Sequence, residues 1–244
     1  MLLTIDVGNS RIKAAVFEHN KQVDFFIFET NEALKNFENI FQKYPNLQKI
    51  ILSSVGKLDE EVVNFIKSQF QTEIIDHKSK FPFTNLYATP ETLGIDRMVL
   101  AAGATLMYPN QNKLIIDAGT CITYDFVNAE NQYLGGAISP GIKIRYKSLN
   151  NYTSKLPLLT LSEDFEIIGN STKSAIHSGV INGVIFEIEG FISQYSLKNQ
   201  DLTIILTGGD AEFLAKRLKS TIFANSNFLL ESLNLLSLYT QKND

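Results

Sequence analysis

Cysteine is almost absent from this chain: its 244 residues contain one, Cys121, which excludes an intramolecular disulfide and cannot by itself make a cysteine-based zinc site. The three histidines, His19, His77 and His177, stand apart with no His-x3-His pair, so no histidine metal site is expected. Basic residues are not in excess: 22 Lys and Arg, scattered, face 26 Asp and Glu, and the net charge of −4 points away from nucleic acid as a partner. No uninterrupted apolar run approaches the ~20 residues of a membrane helix. Met1 leads directly into a short apolar segment ending at Asp6, without the basic start of a signal peptide. A cytoplasmic protein without a membrane partner is therefore expected. Three motifs are also missing. The absence of G-x-x-x-x-G-K-[ST], G-x-S-x-G and G-x-G-x-x-G argues against a Walker A loop, a serine-hydrolase elbow and a Rossmann dinucleotide site. What remains, with 44% apolar and 20% charged residues, is a soluble globular chain long enough for one large or two compact domains.

The most informative stretch opens the chain. Met1-Leu-Leu-Thr-Ile-Asp6 and Arg11-Ile-Lys13-Ala-Ala-Val-Phe17 are two strand-like runs around Gly8-Asn9-Ser10. Gly-Asn at such a junction predicts a tight hairpin, because both residues tolerate positive φ. Amide groups converging in the turn make an anion cradle, with Asp6 at its lip to meet a phosphate-bound Mg²⁺ and Lys13 adding positive charge. Taken alone, an ordinary hairpin with a polar tip explains the same residues equally well.

The chain then predicts a third strand over 22–28, a helix from an N-cap at Asn31 to Tyr44, and a buried strand over 49–54. A second amphipathic helix over 59–70 and a strand over 72–76 follow. Strands in a meander followed by βα crossovers imply a mixed sheet covered by helices. Residues 77–91 carry two prolines, two phenylalanines and a tyrosine without periodicity, which suggests a folded functional loop. A helix is expected from Thr92 to Tyr108, with Gly94, Asp96 and Arg97 in its first turns.

The opening pattern returns at Lys113-Leu-Ile-Ile-Asp117-Ala-Gly119-Thr120-Cys-Ile-Thr123: an apolar strand, Asp, a small residue, Gly, a polar residue and a second strand. Two copies, each opening half of the chain, imply an internal duplication into 1–110 and 111–244. The second half repeats the order, with a third strand over 132–138, a helix over 142–150 and a less regular stretch over 156–168. A long helix from about 171 to 195 keeps Ser174, Ser178, Gly179 and Gly183 on a small-residue face. A strand over 202–206 then turns at Thr207-Gly208-Gly209-Asp210 into a helix over 211–218, followed by a strand at 228–230 and a helix over 231–239. The expectation is an α/β fold of two RNase H-like βββαβα halves with a cleft between them, the two hairpins gripping a polyphosphate.

Phosphoryl transfer from such a site needs a carboxylate to orient or deprotonate the acceptor. Asp6 and Asp117 suit cations, which leaves Asp96 as the base candidate, with Arg97 beside it to hold an anionic substrate group. The simpler reading makes Asp96 and Arg97 surface charges of a helix start. Cys121 is expected to be a small buried residue.

The motifs in this order resemble those of the type III pantothenate kinases, of the actin-like ATPase and sugar kinase (ASKHA) fold. Asp6-Val7-Gly8-Asn9-Ser10-Arg11-Ile12-Lys13 is similar to the family's first phosphate motif, and Asp117-Ala-Gly-Thr120-Cys-Ile-Thr to its second. Tyr87-x-x-Pro90-x-x-Leu93-Gly94-Ile95-Asp96-Arg97 is similar to the pantothenate motif, the most family-specific of the set. Gly135-Gly-Ala-Ile-Ser-Pro-Gly141, Gly169-Asn-Ser-Thr172 and Thr207-Gly-Gly-Asp-Ala211 follow in the family's order.

The resemblance implies transfer of the ATP γ-phosphoryl to the primary hydroxyl of pantothenate, the first step of coenzyme A biosynthesis. It implies Asp96 as the general base, and Tyr87, Gly94, Ile95, Asp96, Arg97 and Thr172 as the pantothenate contacts. Residues 6–13 and Thr120 would hold ATP, and Asp117 a monovalent cation, K⁺ or NH₄⁺, besides Mg²⁺. It also implies a homodimer. One departure stands near the C-terminus, where Ser237 replaces a glycine common in the family and puts the course of the helix there in question. A non-catalytic ATP-binding transcriptional accessory protein on the same fold is the alternative, and a sugar or polyphosphate kinase or phosphatase a third reading.

Overall fold

Two sheets share one strand order, and that order carries the architecture. The computed structural model describes residues 1–8, 11–53, 58–163 and 165–243. Its chain divides into two compact units, Met1–Met107 with Asn227–Asp244, and Tyr108–Ser226.

In unit 1, β1 (Leu2–Val7), β2 (Arg11–Glu18) and β3 (Lys21–Glu29) form an antiparallel meander. The chain then passes through α1 (Ala33–Lys43), β4 (Lys49–Leu52), α2 (Glu60–Gln69) and β5 (Gln71–Ile74), and β4 and β5 add in parallel to β1. The sheet order is β3-β2-β1-β4-β5. Successive side chains of a strand alternate between faces, so a central strand apolar on both sides is buried twice. Leu3, Ile5, Ile12 and Ile50 pack with Phe37 and Ile66 of α1 and α2. Ala15, Phe17 and Ile51 face the opposite layer. That layer is α3 (Ile95–Met107) and α7 (Phe228–Asn243), which bring Val99, Ala102, Leu230, Leu233 and Leu236 to it. A two-residue strand, β6 (Thr84–Asn85), lies in the loop before α3.

Unit 2 repeats the plan. The antiparallel strands β7 (Asn112–Ala118), β8 (Cys121–Val127) and β9 (Gln132–Pro140) are followed by α4 (Ile142–Asn151) and α5 (Thr172–Lys198). The parallel strand β10 (Leu202–Thr207), α6 (Ala211–Ala215) and the short strand β11 (Phe223–Ala224) complete it. Within the unit the strands lie in the order β11-β10-β7-β8-β9, the same order as in unit 1 when counted from each meander. Ser171 caps α5 with a reciprocal Ser171–Ser174 box. This is the one helix among the described residues long and apolar enough to cross a membrane. Its Ile176, Val180, Val184, Ile188 and Ile192 recur every four residues and lie buried in the core of unit 2, as the stripe of a core helix does.

Several boundaries differ from expectation. Phe228-Leu229-Leu230, expected as a strand, is the first turn of α7, where Phe228 and Leu230 are buried. A short apolar triplet has no periodicity to separate the two states. The helix runs unbroken through Ser237, which is 1% exposed and whose Oγ has no hydrogen-bond partner among the described residues. The expected second half ended with this helix, whereas α7 packs in unit 1. Asn31 sits in a 3-10 turn before α1 and is not its N-cap. Pro90–Thr92 likewise form a 3-10 turn, and Leu93 at ψ 128° breaks the chain out of it, so α3 begins at Ile95 and not at Thr92. The helix expected over 211–218 ends at Ala215. The end of the expected 49–54 strand, at Ser54, lies outside the described residues.

The close packing of α3 on α7 is tested by Gly103. A Cβ there would stand 1.9 Å from Ser232 Oγ and 2.9 Å from Ser232 Cα. In a free helix, Gly→Ala stabilises by about 1 kcal/mol. Against α7 the change is expected to destabilise by about 1–3 kcal/mol through overpacking, read from urea unfolding. A gain in stability would mean that the two helices do not meet at this point.

Candidate active site

The first hairpin closes where the sequence places it. Asp6 lies opposite Lys13 in the β1–β2 register, Val7 opposite Ile12, and the Gly8 N–H donates to the Arg11 carbonyl at 3.0 Å. Asn9 and Ser10, the expected tip, lie outside the described residues. Val7 and Ile12 are buried and hold the strand ends, while Arg11 is exposed and pairs with Glu29 at 3.4 Å. Asp6 is half-buried, and Ser53 Oγ at the end of β4 donates to its Oδ1 at 2.9 Å. Burial raises the Asp6 carboxyl above its ordinary value, the Ser53 hydrogen bond and Lys13 pull it down, and the charge of Asp96 raises it further. Lys13 and Asp96 therefore both act electrostatically on Asp6 within unit 1.

Asp96 lies in the first turn of α3, exposed, and its Oδ1 accepts the Arg97 N–H at 2.9 Å. A side chain on Gly94 would collide with this carboxylate, since an ideal Cβ there lies 2.4 Å from Asp96 Oδ1. The glycine of the motif is thus the space into which the carboxylate folds. Arg97 is 6% exposed, so its guanidinium is no ordinary surface charge, and it stands 5.9 Å from the centre of the Tyr87 ring. Tyr87 N–H in turn donates to Asn85 Oδ1 at 3.0 Å. Ile95 is half-buried and packs on the core formed by the α3–α7 face.

In unit 2 the echoing hairpin is one residue tighter. Gly119 N–H donates to the Cys121 carbonyl at 2.9 Å across Thr120, which is exposed. Two other segments close on this tip. Gly141 N–H, at the start of α4, donates to the Thr120 carbonyl at 3.1 Å, and Asp210 N–H to the Ala118 carbonyl at 3.0 Å. Gly208 has φ +97°, a conformation that L side chains rarely adopt, and its missing Cβ would lie 2.4 Å from Asp117 Oδ1. The Asp117 carboxylate therefore lies against the glycine turn at Gly208. Burial raises the Asp210 carboxyl, and Lys143 in the first turn of α4 draws it down.

Within unit 1 the structure joins Asp6, Val7, Gly8, Arg11, Ile12 and Lys13 in one hairpin, and sets the Tyr87 ring beside Arg97 at the helix start that carries Gly94, Ile95 and Asp96. Thr120 and Asp117 share the second hairpin. Thr172 is not part of that hairpin: it starts α5, exposed, and lines a cavity of about 670 Å³ with Arg145, Leu149, Ile176 and Gly179. Cys121, expected to be buried, is exposed, because the tight turn carries it to the tip. Asp210 and Lys143 were not singled out for the site by sequence, although Asp210 stands in the Gly208-Gly209 turn that was. His77, set aside as isolated, holds the Leu93 carbonyl next to the Asp96 turn at 2.8 Å. Among the described residues no three His, Cys, Asp or Glu side chains form a metal cage.

Solved structures share this architecture. A Campylobacter jejuni protein classed with the Baf family of transcriptional activators superposes with a TM-score of 0.64 over 98% of this chain and 99% of that one, at 22% identity. A glucokinase from an Antarctic psychrotroph does so with a TM-score of 0.53 over 98% of both chains, at 12% identity. The duplicated sheets and paired Asp-x-Gly hairpins thus define a protein of the actin-like ATPase and sugar kinase fold. A type III pantothenate kinase of Flavobacterium johnsoniae is 57% identical over 244 residues, covering all of both chains, and one of Bacteroides fragilis is 39% identical over 240 residues, 98% of each. The sequence model described as Type III pantothenate kinase matches residues 2–194, and this chain belongs to that family.

The raised Asp6 carboxyl has a consequence for stability. Below the ordinary carboxylate range Asp6 is neutral in both folded and unfolded chains and costs nothing; as pH rises through its higher folded value, the fold bears a charge it disfavours. Asp6→Asn is therefore expected to melt higher than wild type at neutral pH without ligand, with the difference vanishing below about pH 4. Melting curves at the two pH values check this. An Asn variant less stable at neutral pH would contradict it.

Proposed function

We propose that the protein is an ATP-dependent pantothenate kinase in which Asp96 accepts the proton of the pantothenate primary hydroxyl as the γ-phosphoryl moves to it, giving 4'-phosphopantothenate. The observation that carries this reading is the Asp96 carboxylate, folded into the space left by Gly94 and held by the Arg97 N–H. A carboxylate placed in this way loses no orientation at the moment of transfer. The half-buried Tyr87 and the buried Arg97 next to it supply an apolar surface and a cation for the substrate, Arg97 taking the pantothenate carboxylate. Gly94 and Ile95 complete this wall, and Thr172, which starts α5 in unit 2, is read as a further pantothenate contact.

In the same reading Asp6, Val7, Gly8, Asn9, Ser10, Arg11, Ile12 and Lys13 hold the ATP phosphates together with Thr120. Mg²⁺ would be met by Asp6, whose raised carboxyl accepts the Ser53 hydroxyl, and a monovalent cation, K⁺ or NH₄⁺, by Asp117 beside the Ala118 carbonyl and Gly208. Bound there, the cations neutralise phosphate charge during in-line transfer. The reading also makes the protein a cytoplasmic homodimer. In its favour, α5 exposes Phe186 (61%) and Leu197 (77%), and Gly179 and Gly190 on the same helix have nothing within 4 Å of an added Cβ. Ser178 of the expected small face is instead turned inward, donating to the Ile167 carbonyl at 2.7 Å.

ATP consumption measured with and without pantothenate, in K⁺ and then in Na⁺, tests the assignment. Turnover is expected only with pantothenate and K⁺, and Asp96→Asn is expected to fold, bind ATP and lose about 10²–10⁴ in kcat. ATP binding without product would instead indicate an accessory protein, and near-wild-type turnover of Asp96→Asn would remove Asp96 as the base.

A further inference from the structure

At the β9–α4 corner, Ser139-Pro140-Gly141, the sheet that carries the second hairpin loses a donor. Pro140 lies opposite Cys121 in the β8–β9 register, and a proline brings no N–H to the ladder. Gly141 N–H reaches across to the Thr120 carbonyl at 3.1 Å. An ideal Cβ on Gly141 would stand 2.2 Å from the Gly119 oxygen and 2.5 Å from that of Thr120. Corner and hairpin tip are therefore in contact, and a shift of one is passed to the other.

Arg145 ties the corner down. Its Nε donates to the Pro140 carbonyl at 2.9 Å and its Nη2 to Ser139 Oγ at 2.8 Å. The same Nη2 pairs with Glu187 Oε2 of α5, and the fully buried Tyr124 of β8 donates its hydroxyl to Glu187 Oε1 at 2.8 Å. Burial by itself raises the Glu187 carboxyl; the bonds from Arg145, Ser139 and Tyr124 outweigh it and hold the group below its ordinary value. A cation in the first turn of α4 faces the positive end of the helix dipole, so the helix itself gives Arg145 no reason to be there. The contacts close a ring within unit 2. It runs from the hairpin along β8 to Tyr124, through Glu187 and Arg145 to the corner, and from Gly141 back to Thr120.

Resting on the reading of Thr120 as a contact of the ATP phosphates, we infer that Arg145 is a positioning residue of the second phosphate hairpin: anchored on Glu187, it holds the Ser139–Gly141 corner against Thr120 and so fixes the tip. It acts through Thr120 and not by touching ATP. A planar guanidinium bonds a carbonyl, a hydroxyl and a carboxylate at once. The ammonium of Lys, a point charge on a flexible stem, keeps the pairing with Glu187 but not the whole set.

The test uses the full-length Arg145→Ala, Arg145→Lys and Thr120→Ala proteins and the Arg145→Ala/Thr120→Ala double variant. Arg145→Ala is expected to weaken ATP binding about tenfold, the equivalent of one net hydrogen bond, read by calorimetry without pantothenate. KM for pantothenate is expected to stay unchanged, and Arg145→Lys to recover part of the loss. In the Thr120→Ala background the Arg145→Ala change is expected to cost less than about twofold, because the side chain it positions is gone. Wild-type ATP affinity in Arg145→Ala, beside weakened binding in Thr120→Ala, would overturn the inference and leave the reading of Thr120 intact. Fully additive losses in the double variant would also overturn it, as would a raised KM for pantothenate, which would make Arg145 a wall of the Thr172 cavity. Should Arg145→Ala not fold, Arg145→Lys decides: weakened ATP binding supports the inference and wild-type affinity overturns it. Wild-type ATP affinity in Thr120→Ala would overturn the reading of Thr120 itself, whatever the Arg145 variants do.

Discussion

Everything proposed for the chemistry depends on one close approach, the Asp96 carboxylate folded over the bare Cα of Gly94. A carboxylate in the first turn of a helix is favoured by the helix dipole wherever it points, so the dipole alone does not aim it. Aim comes from the void at Gly94, where any side chain would stand 2.4 Å from Oδ1, and from the Arg97 N–H that accepts the role of anchor. Arg97 is buried beside Tyr87 and cannot drift, which fixes the backbone that supplies the N–H. The acceptor side of the site is therefore built on a helix start whose backbone is held in place.

The donor side follows from the strand order. A hairpin between the first two strands of each meander puts an Asp and a Gly at the carboxyl end of a central strand, where open α/β sheets bind ligands. Both units do this, yet they are not equal. The unit 1 hairpin closes between Gly8 and Arg11, whereas the unit 2 hairpin closes across Thr120 alone and is buttressed by Gly141 and Asp210. In unit 1 burial and the charge of Asp96 raise the Asp6 carboxyl; in unit 2 Asp117 lies against Gly208. The two units share one frame and differ at the hairpin tips.

Much of this was legible without coordinates. Apolar runs of strand period, interrupted by Asp-x-Gly, locate both hairpins, and their repetition gives the duplicated sheet. Failures occurred where local pattern carries no direction. Phe228-Leu229-Leu230 reads equally as strand or helix, and only its burial against the sheet of unit 1 makes it a helix. Cys121 belongs to an apolar strand in the sequence but to the exposed end of a one-residue turn in space. His77 has no neighbour in sequence that signals a role, because its partner Leu93 lies 16 residues on. The start of α3 was misplaced by a 3-10 turn that ends before the helix begins.

The most direct test of the central interaction is the Gly94→Ala variant, assayed for kcat, for ATP affinity and for stability. The atom an added methyl meets is the end of the flexible Asp96 side chain, which can rotate away, so the fold is expected to survive with little loss. The carboxylate, however, must move by an ångström or more, and kcat is expected to fall about a hundredfold with ATP affinity unchanged. A folded Gly94→Ala protein that phosphorylates pantothenate at the wild-type rate would contradict the placement of Asp96 on which the mechanism rests.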